Sequence, residues 1–315
     1  MARVNVDAWL QEEVSSKTVQ RVISQSAVEG PGTVKEPMGT VYKLIDRPGT
    51  IGVAVTAKGS AYNEEQPTGD QVTLTARKFT AALRIAEEDI ADLPASGVTG
   101  YIDDRKADWG SSYARFIDNA ALGTNAAVNG TTVPFTSVYK AVTTADAGVS
   151  YTANANHVNQ AGASTTRAML SSTLAKLEQG SYWSEPDLVV MAHPKFRATL
   201  RDMVDSQGRP LFDANDKTLF GFPIIFTVGA MVTATASTAP TGAGGAKGTA
   251  GNPLLIVANK NVLVLGVRSG PESVNISGWD GTSALTDEAI IKMRSRRAFA
   301  VTDVNGVAVL EASTA

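Results

Sequence analysis

The sequence predicts an α+β protein, and three observations carry that reading. Residues 40–86 contain apolar positions spaced as in strands, residues 99–123 repeat them as in a long helix, and Asp187–Thr227 reads as strand, helix, turn, strand.

The first 36 residues are polar to mixed. Leu10, Val14, Val19, Val22 and Ile23 allow a short helix over 8–25, and Glu29-Gly-Pro-Gly breaks it. The stretch has too little apolar surface for a core and reads as an arm. Next, Ile51, Val53 and Val55 alternate with Thr50, Gly52, Ala54 and Thr56. A polar tip follows, Lys58 to Asp70, with Tyr62, Glu64 and Glu65 in it. The return strand puts Val72, Leu74 and Ala76 on one parity and Phe79, Ala81, Leu83 and Ile85 on the other. A bulge, or a passage between packing environments, therefore falls near Arg77-Lys78. Arms at Ile51–Ala57 and Gln71–Arg77 are expected to pair as a ribbon roughly 23 Å long at ~3.3 Å per residue. A lone two-stranded hairpin is marginal in water, so the face made by Ile51, Val53, Val55, Val72 and Leu74 needs cover.

After the acidic stretch Glu87–Pro94, Thr99 is a good N-cap, Asp103 and Asp104 suit the first turns, and Gly123 is a stop. Ile102, Trp109, Tyr113, Phe116, Ile117 and Ala120 form the stripe that this helix buries. Residues 124–163 show little periodicity beyond a hairpin expected near Val133–Val142. Ser164–Gly180 is a helix with Leu170, Leu174 and Leu177 on one face. In the run that follows, Leu188–Ala192 is a buried strand and Pro194 suits the first helical position. Phe196, Leu200, Met203 and Val204 continue as a helix, Asp205–Pro210 is a turn, and Leu219-Phe-Gly-Phe-Pro leads into the strand Ile224–Thr227. Thr233–Asn252 is low in complexity and reads as an exposed loop that accepts insertions. Leu254–Ala258 and Val262–Val267 are strands around Asn259-Lys-Asn261. The chain ends with Glu288–Thr302 and Val307–Leu310, expected to form a hairpin turned at Asp303–Gly306.

The order "strand, Pro-bearing helix, DSQGRPLF, LFGFPIIFT" resembles the major capsid proteins of tailed bacteriophages, the Hong Kong 97-type fold, and the likeness extends over nearly the whole chain. The resemblance implies an N-arm (1–36), an E-loop β-ribbon (37–80), a peripheral domain with a long spine helix (81–160 and 280–315) and an axial domain (161–279). It implies a structural protein of the virion, assembled in the host cytoplasm into hexamers and pentamers of an icosahedral shell around dsDNA. Its partners would be itself and, through N-arm and E-loop, the neighbouring subunits. Portal, scaffolding and decoration proteins are further partners of such shells. The E-loop candidates for contact with a neighbouring copy are Ile51, Val53, Val55, Lys58, Tyr62, Glu64, Glu65, Val72 and Leu74. Some members join an E-loop Lys to an Asn of the peripheral domain. Lys58 is a possible donor, but Ser283–Glu288 offers no Asn, so a non-crosslinked shell is expected. A fused scaffolding segment is expected to be absent or already removed, since no long charged helical region precedes the arm. An encapsulin-type compartment is the alternative within the fold, and a soluble enzyme or ligand-binding protein the alternative outside it.

Composition agrees with a structural role. The 28 basic and 31 acidic residues nearly balance, which removes the footprint of a dedicated nucleic-acid binder. With no Cys, disulfides and thiolate metal sites are excluded. No apolar run approaches the ~20 residues of a membrane span. No catalytic set, cofactor motif or metal site is read. His157 and His193 lack a metal-binding spacing, no G-x-S-x-G elbow occurs, and Gly242–Gly248 lacks the features of a phosphate loop. Lys292, Arg294 and Arg296 share one parity of a strand whose other face carries Ile291, Met293, Phe299 and Val301. They form either a solvated strand face or a surface turned toward packaged DNA or the next subunit.

Overall fold

The computed structural model describes residues 25–46, 53–62, 64, 70–95, 101–160, 165–204, 207–210, 212, 218–276 and 287–313. All but the last residue of the helix expected over 8–25 lies outside these, as do Ile51 and Glu65.

A six-stranded sheet carries one hydrophobic core. Its strands are β5 (His157–Gln160), β6 (Leu188–Ala192), β7 (Thr218–Leu219), β8 (Phe222–Phe226), β9 (Leu254–Asn259) and β12 (Val307–Ala312), in the order β5-β12-β9-β6-β8-β7. β12 runs parallel to β5 and antiparallel to β9, and β6 runs antiparallel to β9 and parallel to β8. Every residue of β6, β9 and β12 is buried, which explains why their sequences run apolar on both parities. Leu188, Val190, Leu255, Val257, Ala308 and Leu310 pack against Leu170 and Leu177 of α4 (Arg167–Glu178) and Phe196 and Leu200 of α5 (Lys195–Asp202). α4 starts where Thr166 accepts the Met169 N–H; α5 follows Pro194, whose backbone is already helical. β7 and β8 meet at Phe220-Gly221, both at positive φ (52° and 91°), as a two-residue hairpin turn demands.

A four-stranded sheet, in the order β1-β10-β11-β4, takes β1 (Val34–Pro37), β4 (Arg77–Ala86), β10 (Leu263–Ile276) and β11 (Glu288–Val301). The expected terminal hairpin is therefore corrected. β11 and β12 belong to different sheets, joined by a 3₁₀ turn at Val304–Gly306 in which Asp303 accepts the Asn305 N–H. β9 and β10 part in the same way at Lys260–Val262, where Asn259 accepts the Asn261 N–H. Both corners meet through Thr302 N–H to Val262 O at 2.9 Å. The pairing of β12 with β9 also places 307–312 in the same sheet as β6. The hairpin expected near Val133–Val142 is likewise replaced, by α3 (Val138–Thr143), because Ser137 accepts the Lys140 N–H as a helix N-cap.

By contact, the described chain divides into two units. One takes its residues from 79–111 and 271–295, the other from 24–78, 112–270 and 296–315. In the first, Ile85, Ile291 and Met293 form a core with Leu83, Ile90, Ile102 and Trp109, drawn from β4, β11, α1 (Glu87–Ala95) and the start of α2 (Tyr101–Leu122). In the second, the end of α2 is buried around Ile117, Ala120 and Leu122. Gly123 closes it where a Cβ would stand 2.0 Å from Met231 O, so only glycine fits.

Candidate assembly surfaces

The ribbon differs from the sequence expectation. Its paired strands are β2 (Val41–Asp46) and β3 (Asp70–Thr75), with Val41 opposite Thr75 and Asp46 opposite Asp70. Val53–Ala57, expected as a strand arm, has no ladder partner among the described residues, and Val53 and Val55 are 100% and 104% exposed. Alternation points to Ile51–Ala57 and away from Val41–Asp46, whose apolar residues come in adjacent pairs (Val41-Tyr42, Leu44-Ile45), so the pattern chooses the wrong arm. Val72 and Leu74 are also reassigned. Leu74 is 1% exposed and joins Val264, Ala298, Met38, Tyr42 and Leu44 in a core of its own subunit, with Val72 against it. Lys58, Tyr62 and Glu64 are exposed, Tyr62 at 87%. The parity change near Arg77 is a passage between sheets, because β3 pairs with β2 while β4 belongs to the four-stranded sheet.

Lys292, Arg294 and Arg296 are exposed on alternate positions of β11, while Ile291, Met293 and Arg297 are buried. Arg294 Nε donates to Glu272 at 2.6 Å, so part of the face is already neutralised. Lys292 and Arg296 have no ion-pair partner among the described residues. Arg297, which sequence reasoning passed over, is 5% exposed and donates from Nε to Glu29 at 2.6 Å. Tyr113 donates to the same carboxylate oxygen at 2.8 Å. A lone Arg on the apolar parity of a strand was the available signal for this buried pair.

The stretch read as an arm is part of the packed chain from Ser26 onward. Asp118, in α2, accepts from Ser26 Oγ (2.5 Å), Ala27 N (2.9 Å), Val28 N (3.1 Å) and Thr227 Oγ1 (2.5 Å). Burial pushes this carboxyl up from its ordinary value against the pull of those donors. Its neighbour Asn119 donates to Gly229 O and Met231 O and accepts from Thr233 Oγ1 and Ser237 N. Two adjacent polar residues on a helix thus fix the entry of the chain and the start of the Thr/Ala/Gly segment.

That segment is a built loop rather than a loose one. Glu311, fully buried on β12, accepts Gly248 N and Asn252 Nδ2 on one oxygen, both at 2.6 Å. Its other oxygen accepts Tyr139 Oη at 2.9 Å and faces His157 Nε2 at 3.1 Å. Gly242 and Gly251 meet so closely that a Cβ on either would stand 2.2–2.4 Å from the other segment's backbone. Composition alone could not show that a low-complexity stretch encloses a buried Asn.

The family model described as "Phage capsid family" matches residues 7–312. Among solved structures, the chain is similar to one from Mycobacterium phage Ogopogo, with 15% identity, a TM-score of 0.73, and 99% of this chain and 100% of that chain covered. It is similar to one from Gordonia phage Cozz at 16% identity and a TM-score of 0.69, covering 98% of this chain and 93% of the other. A third, the capsid of a native GTA particle, shows 15% identity and a TM-score of 0.69, with 99% and 100% covered. No curated protein matches the chain.

Proposed function

The chain belongs to the phage capsid family, and on that premise we propose that its subunits form the hexamers and pentamers of an icosahedral head enclosing double-stranded DNA. It is a structural major capsid protein with the Hong Kong 97-type fold, which self-associates into capsomers and resides in the virion capsid. Nothing in the comparisons favours the encapsulin alternative. In the finer reading, assembly takes place in the host cytoplasm, the residues preceding Ser26 lie along one neighbour, and the ribbon tip engages another. Portal, scaffolding and decoration proteins complete the partners. Lys292 and Arg296 meet packaged DNA through phosphates, without sequence preference.

The observation that carries the finer reading is the bare tip. Val53, Val55 and Tyr62 stand exposed at the end of a ribbon whose base is already packed on its own subunit. Clustered exposed apolar groups mark a surface that a partner covers. The test follows from the register. Asp46 and Asp70 face each other across the ribbon, so residues 47–69 can be replaced by an Asn-Gly turn with the strand pairs kept. The shortened subunit should fold with the parent circular dichroism and form no closed shells by electron microscopy. Closed shells from that protein would refute the role between subunits.

A further inference from the structure

We propose that a groove at the base of the ribbon receives the exposed tip of the same ribbon from a second copy of this chain, through Tyr62 and Glu64. This rests on the reading that the tip engages a neighbour, and it names the receiving site. The groove has a volume of about 590 Å³ and its lining includes Thr75, Arg77, Val128, Phe135 and Lys140. Arg77 and Lys140 have no ion-pair partner among the described residues. Arg77 Nε is buried and donates to no described acceptor. A partly desolvated cation without a facing anion is costly, and an incoming carboxylate relieves that cost.

The groove is built to hold Arg77 in place. Asn129 Oδ1 accepts the N–H groups of Thr131, Thr132 and Val133, closing a turn that puts Gly130 at φ +78°. The guanidinium lies against that glycine so closely that a Cβ there would stand 3.0 Å from Nη1. Asp146 is the one acid in the lining among the described residues, and its Oδ1 already accepts the Gly148 N–H at 3.0 Å. Val128, 42% exposed, supplies apolar surface. The groove thus presents positive charge with apolar contact, and the tip presents an aromatic ring at Tyr62 with a carboxylate two residues on. Charge and polarity complement each other, and the copies are identical, so every copy carries both halves of the contact.

The experiment is a charge exchange. Glu64→Lys, and separately Arg77→Glu with Lys140→Glu, should each raise the subunit concentration needed for closed shells at least about tenfold. Combining all three should bring it back to within about threefold of the parent. Because the parent has no Cys, an Ala61→Cys, Val128→Cys protein can form only the disulfides introduced. Oxidised shells of this protein should give a ladder of linked multimers, and free subunits none. The ladder also decides the matter if the Arg77, Lys140 variant fails to fold. Shells without the ladder, or a triple variant no better than either parent, overturn the groove. If the 47–69 replacement meanwhile blocks assembly, the ribbon still engages a neighbour, at another site. If that replacement assembles as well, both readings fall.

Discussion

Replacing Glu311 by Ala should destabilise the subunit by about 3–5 kcal/mol, because several buried donors lose a charged acceptor at once, each at a cost of about 1–3 kcal/mol. The magnitude comes from what the carboxylate holds. Gly248 N, Asn252 Nδ2 and Tyr139 Oη lose their acceptor together, and His157 Nε2, 3.1 Å away, loses the carboxylate it faces. Burial alone would raise this carboxyl, but the donors, His157 foremost, outweigh burial and lower it from 4.5 to about 2. Because the folded value lies below the unfolded one, the stabilisation is complete above pH 4.5 and is lost as pH falls from there through about 2. At about 1.4 kcal/mol per tenfold change, that drop amounts to roughly 3 kcal/mol. Urea unfolding of shell-free subunits between pH 6 and 2 measures it. Glu311→Gln, which keeps the shape and an acceptor for Gly248 and Asn252, should flatten the acid limb by that amount. The Ala variant should also be cut by trypsin at Lys247 faster than the parent, because the loop has lost its anchor. An Ala variant within about 1 kcal/mol of the parent, or a Gln variant with the parent's acid limb, would refute the reasoning.

His193 adds an earlier acid-sensitive window. Burial, helped by the Lys195 charge, lowers it from 6.5 to about 4, and its Nδ1 accepts the Lys195 N–H at 3.1 Å. Its contribution is present above pH 6.5 and fades as pH falls toward 4; His193→Asn should remove that slope from the same titration. A short Gly/Ser insertion after Gly244 should lower the melting temperature, since Gly244 N bonds Ala250 O at 3.0 Å, while one after Thr238, which is exposed, should leave it nearly unchanged. Lys292→Gln, Arg294→Gln and Arg296→Gln together should lower genome retention while empty shells still form; failure to form shells would assign the charges to an interface. Boiling assembled shells in SDS should release single subunits, and a ladder of covalent multimers would contradict the non-crosslinked expectation.

Local pattern was enough wherever one segment decided its own conformation. The fully apolar runs at 188–192 and 254–258, the helix start at Pro194, and the acidic first turn of α2 were legible because period and chain-end chemistry act over a few residues. So was the exposed parity of Lys292, Arg294 and Arg296, which alternation alone fixes. Pairing was not legible. Ile51–Ala57 alternates and Val41–Asp46 does not, yet the sheet register gives Thr75 to Val41. Asp303–Gly306 has the composition of a hairpin turn, yet it carries the chain from one sheet to another. Asp118 and Glu311 were invisible for the same reason, and so was the partner of Arg297. Their partners lie 90 or more positions away or in loops without periodicity, so their cost and their compensation exist only once the chain has closed around them.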